Sequence, residues 1–121
     1  MSYFPALKRA RPARRYQLGP YLAVVFSDCV SMGTVQYTHV LFVLPENGTE
    51  PRLAVAAEVN TLHGQPGFEA SGSHFLGVFP GSSHENLGAS DDWADLERFT
   101  RKALELAAGR LGVADAPQEI T

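Results

Sequence analysis

One thiol, Cys29, and four histidines, His39, His63, His74 and His84, are the first places in this sequence to look for chemistry. A cysteine becomes a nucleophile when a base or a positive charge holds it as the thiolate. Cys29 has Asp28 before it and Val30 after it. That setting reads as a small apolar residue, with a neighbouring charge of the wrong sign for a thiolate. His63, His74 and His84 fall in or beside two stretches rich in glycine and serine, with Glu58, Glu69 and Glu85 around them. Zinc or iron could draw on three such groups. No two of the histidines, however, are spaced i+2 on a strand or i+4 on a helix, so no metal site and no cofactor is expected. Ser82, Ser83 and His84 are adjacent. Hydroxyl and imidazole act together only when they meet in space with an orienting carboxylate. No Gly-x-Ser-x-Gly elbow and no phosphate-cradling Gly-Lys-Ser/Thr run is present.

No residue is therefore assigned a catalytic role, and a non-enzymatic protein is the expectation. The polar set worth carrying forward is His63, His74, Ser83, His84 and Glu85. These could line a small-molecule or enzymatic site where the loops 61–73 and 81–89 meet the rest of the chain. His39, amid apolar neighbours, reads as a satisfied core histidine or an interface residue.

Four runs carry strand character. Tyr21–Phe26 is apolar throughout, Thr34–Leu44 is apolar on both alternating faces, Arg52–Asn60 alternates, and His74–Phe79 is short and ended by Pro80-Gly81. Turn-rich links between them favour an antiparallel meander over parallel pairs, which need long crossovers. Ser90 or Asp91 can cap a helix. Trp93, Leu96, Phe99, Ala103, Leu104, Ala107 and Leu111 give that helix an apolar stripe, and Gly112 stops it. Pro5 and Pro12 bracket a possible short N-terminal helix. The expected class is α+β: a four-stranded antiparallel meander packed by a long C-terminal helix, with a short N-terminal helix. The expected organisation is a basic arm over residues 1–15, one domain over 16–112, and a fraying tail over 113–121.

The net charge of −3 over 121 residues conceals an asymmetry. Lys8, Arg9, Arg11, Arg14 and Arg15 give residues 1–15 a charge of +5 with no acid, and the remainder carries −8. Such an arm could reach nucleic acid or an anionic lipid surface. The simpler reading has it fold back on its own acidic body, which would itself repel a phosphate backbone, so nucleic acid is a poor partner. No stretch reaches the ~18 apolar residues of a membrane span. The apolar run after the early positive charges is too short for a secretory signal, and a cytoplasmic protein is the expectation.

The apolar pattern exceeds what one helix can cover. A helix of about 20 residues shields roughly 300 Å². Four strands present roughly 400 Å² on each face. A wetted outer face should alternate cleanly with polar residues, and the first two strands do not. Something else must cover the second face. A second copy of the chain is the simplest cover, since two-fold dimers are the commonest oligomer. A protein partner, a ligand or the chain's own loops are the alternatives. An interaction module is the leading functional expectation, with Tyr21, Val25, Tyr37, His39 and Leu41 as the interface residues.

Overall fold

Gly19 and Pro20 make a two-residue link between two long antiparallel strands, β1 (Leu7–Leu18) and β2 (Tyr21–Ser31), which begin a continuous meander. In the computed structural model, which describes residues 4–67 and 72–120, it continues through β3 (Tyr37–Pro45), β4 (Leu53–Val59), β5 (His74–Phe79) and β6 (Glu85–Ser90). A 3-10 turn (Asp91–Ala94) leads into the helix α1 (Leu96–Leu111), and a short β7 (Gln118–Glu119) follows. All seven strands form one antiparallel sheet in the order β6-β5-β4-β3-β2-β1-β7.

This overturns the expected four-stranded meander with an N-terminal helix. Among the described residues the chain is mostly sheet, with one α-helix. Residues 7–18 form a strand although they carry five basic residues and Pro12. Pro12 sits at a register shift on a strand near the sheet edge, a place where a missing donor is tolerated. The basic residues suit that position too, because charge on an edge discourages unwanted pairing. Residues 85–89, expected in the loop 81–89, form with Ser90 the opposite edge. Residues 68–71 of the loop 61–73, Glu69 included, and residues 1–3 of the basic arm lie outside the described residues.

α1 lies across one face of the sheet. Phe99, Ala103, Leu104 and Ala107 pack onto Val25, Leu41, Val43, Leu53, Val55 and Ala57, with Leu76 and Val78 beside them. Phe99, Leu41, Val25 and Val55 have no solvent exposure. Burying each such side chain contributes about 1.5–3 kcal/mol. Ser90 caps the 3-10 turn by accepting from the Asp92 amide at 3.1 Å. Asp95 caps α1 by accepting from the Arg98 amide at 2.9 Å. Gly112, at φ 69°, ends the helix as its place in the sequence predicts. Beyond it the chain is anchored where fraying was expected. Val113 packs against the core, and Gln118 and Glu119 pair with Gln17 and Tyr16 of β1.

Candidate functional site

The far face, away from α1, brings apolar and ionisable side chains together. Strand alternation puts Val24 and Phe26 of β2 there, with Val40, Phe42 and Leu44 of β3 and Ala54, Ala56 and Glu58 of β4. The N-terminal half of β1 covers part of it. Register shifts after Leu7, Arg9 and Pro12 bend that strand, and Asp28, at φ 52°, marks a bulge opposite on β2. The bend carries Phe4 across to Gly81, just beyond β5. Phe4, Leu7, Cys29, Tyr37 and Phe42 thus pack on Val40, Ala54, Ala56 and Phe79. The N-terminal segment does return to its own domain, as a strand and not as a helix.

The cover is uneven, and it divides the far face. Over β4 and β5 it is closed. Here Glu58 is 94% buried, being only 6% exposed, and its Oε1 accepts from His84 Nε2 at 3.0 Å. His84 lies flat on Phe79, with centroids 4.4 Å apart and planes 5° from parallel. Gly77 leaves the room for this. A Cβ there would fall 2.9 Å from His84 Nε2 and 3.2 Å from the Glu58 carboxyl carbon. Tyr37 stands edge-on to Phe79 at 6.5 Å. Burial pushes the Glu58 carboxyl above its usual range, and His84 opposes that. Burial and the nearby Glu58 charge raise the Tyr37 phenol. A carboxylate that fixes Nε2–H leaves Nδ1 as the open nitrogen of His84, and Nδ1 has no protein partner among the described residues.

Over β2 and β3 the far face is open. Phe26 and Phe42 meet edge to face at 5.9 Å and form, with Leu44, the floor of a groove of about 560 Å³. Leu7, Ala10 and Pro51 make its walls, and Lys8 and Arg9 of β1 stand at its rim. Along the same strand Arg11 pairs with Asp28 at 2.8 Å and Arg14 pairs with Glu97 of α1. Lys8 and Arg9 form no salt bridge among the described residues.

The residues singled out from sequence are distributed as follows. Val25 and Leu41 are sealed beneath α1 and offer no surface to a partner in this fold. Tyr21 packs at the margin of the same core. His39 is 8% exposed on that side. Its Nε2–H donates to the Ala94 carbonyl at 3.0 Å, and its Nδ1 accepts from the Ser27 hydroxyl at 2.9 Å. Its ring leans on Phe99 at 5.5 Å. Tyr37 alone of the five faces the far side, in the closed half.

The polar set separates as well. His74 lies on the helix side, between Thr38 Oγ1 and Ser73 Oγ, both at 2.8 Å. Burial, then the neighbouring His39, holds its pKa below the usual value. His63 is exposed and near enough to His74 to lower it further. His84 is on the opposite face, and Ser83 is exposed. Glu85 is clamped by Arg110 through two bonds of 2.6 and 3.0 Å, which lower its pKa and tie β6 to α1. The histidines therefore do not converge on one cavity.

Cys29 is half-buried, and burial with Asp28 beside it pushes its thiol up to about 11, far from a thiolate at neutral pH. Among the described residues no group of three His, Cys, Asp or Glu side chains could hold a metal ion. No described helix is long and apolar enough to cross a membrane.

Sequence reasoning missed the Glu58–His84 pair and the Phe26–Phe42–Leu44 floor. The floor had left a signal, apolar residues on both sides of Thr34–Leu44. The pair had both members in view, Glu58 and His84, but nothing in their spacing joins one to the other. No family model matches the chain, and no curated protein or solved structure matches it either.

Proposed function

We propose that this chain is a non-enzymatic interaction module that takes a partner on the open half of the far face. The observation that carries the reading is the groove floored by Phe26, Phe42 and Leu44, which the chain's own N-terminal strand flanks without closing. Two aromatic rings side by side at the floor of a surface groove, neither fully buried, suit a surface on which something docks. The two edges of the sheet are a poorer choice. β1, an edge except where β7 pairs with Tyr16 and Gln17, is basic and interrupted by Pro12, and β6 is short and polar, both of which discourage strand addition.

A second copy could be the partner. A two-fold homodimer through this face would, however, bring Lys8 and Arg9 of both copies to one interface whose groove lining holds no carboxylate. That like-charge arrangement makes a different molecule the better fit. The test is light scattering with binding of an environment-sensitive apolar dye, on the intact chain and on Phe42→Asp. We expect a monomer at micromolar concentration whose dye binding is lost in the variant. A dimer that Phe42→Asp splits would keep the face and change the occupant. Dye binding and mass unaffected by the substitution would overturn the reading.

A further inference from the structure

From the charges around the groove we infer that its occupant is an acidic, apolar peptide segment of another protein. This rests on the reading of the open half as a docking surface. The strand that walls the groove carries four cations between Lys8 and Arg14, and they divide by position. Arg11 and Arg14 are neutralised by Asp28 and Glu97, whereas Lys8 and Arg9, at the groove, are exposed and without a carboxylate among the described residues. The body of the chain has acids in excess, yet none of the described ones forms a salt bridge with these two. A ligand that places apolar side chains on Phe26, Phe42 and Leu44 and carboxylates beside Lys8 and Arg9 satisfies both features. The charges would steer its approach and reject basic competitors. The groove is broadly open and has no buried polar anchor on its lining, which suits a peptide laid along it better than a single acyl chain enclosed within it.

The experiment is fluorescence anisotropy with the full chain and three short labelled peptides. One alternates Leu with Glu, one Leu with Ser, and one Leu with Lys. Phosphatidylserine vesicles and single-stranded DNA are parallel probes. The Leu/Glu peptide is expected to bind at least about ten-fold more tightly than the Leu/Lys peptide, and to weaken with added salt. Lys8→Glu combined with Arg9→Glu should reverse that preference. Arg101→Glu, an equal change of sign on the exposed side of α1, should leave it in place. Circular dichroism and thermal melting confirm that each variant is folded. If the three peptides bind alike and Phe42→Asp abolishes all of them, the acidic occupant is rejected while the docking surface stands. If no peptide shows a Phe42-dependent signal, both fall. If vesicles or DNA bind through Lys8 and Arg9 with no dependence on Phe42, the charges serve a phosphate surface and the peptide inference is wrong.

Discussion

On the helix side of the sheet, α1 fills the surface with Phe99, Ala103, Leu104 and Ala107, and even the polar His39 has both ring nitrogens satisfied. On the far side a bent strand does the covering, and it runs out halfway, over Phe26, Phe42 and Leu44. Similar apolar side chains therefore have different consequences on the two sides. Under the helix they supply stability, and in the groove they supply surface.

Substitution by alanine should separate these roles most sharply. Phe99→Ala removes a fully buried ring and its contact with His39, and should cost about 3–5 kcal/mol in urea unfolding. Phe42→Ala, at a partly buried position, should cost about 1–2 kcal/mol and fall mainly on partner binding. Equal costs at the two positions would erase the distinction drawn between the faces. Within the far face, Gly77→Ala should cost about 1–3 kcal/mol, because the new methyl group displaces His84 and strips Glu58 of its donor. Phe42→Asp on the open half should leave that Glu58–His84 contact undisturbed, as the histidine's NMR shifts would show.

The helix side has one flaw that can be repaired. The Thr100 hydroxyl is buried and has no hydrogen-bond partner among the described residues. Thr100→Val keeps the shape and removes the orphaned group, so the midpoint of thermal unfolding should rise by the equivalent of about 1 kcal/mol. A fall would mean that a group outside the described residues, or solvent, satisfies the hydroxyl.

The smallest effect is on pH dependence, where the two faces should differ in sign. His74, on the helix side, has its pKa held below 6.5, so the folded chain takes up protons less readily than the unfolded one. Its contribution to stability is present above pH 6.5 and is lost as the pH falls. Glu58, on the far side, is raised above 4.5, so the folded chain holds its proton more tightly. Its contribution is present below pH 4.5 and is lost as the pH rises through the elevated value. Denaturant midpoints measured across this range should flatten on the acid side in His74→Gln. In Glu58→Gln they should gain toward neutral pH relative to the unaltered chain. Matching slopes in the two variants would remove the contrast.

The sequence made the middle of the sheet legible and its margins illegible, for a physical reason. The apolar run His74–Phe79 coincides with β5, and the runs at β2, β3 and β4 match those strands with ends displaced by up to five residues. Interior strands are paired on both sides and carry the core, so they must be largely apolar. Edge strands have to resist pairing, so β1 is full of arginine with a proline, and β6 is polar with Gly88 at φ 106°. The features that protect an edge also remove the composition by which strands are recognised. The candidate site was hidden in another way. The choice of Val25 and Leu41 over Val24 and Phe42 turned on which face met the helix, and periodicity is symmetric in that respect. Glu58 and His84 stand 26 positions apart and meet only through the register of β4, β5 and β6.

From β1 to β6 the strands lie in space in the order in which they occur along the chain. Each can zip onto the one before it through a local hairpin, with little loop-closure entropy to overcome. Such a sheet should form quickly for a β-rich protein. The slow step then falls to α1, whose docking brings distant segments together, and substitutions at Phe99 should alter the folding rate more than those at Phe42.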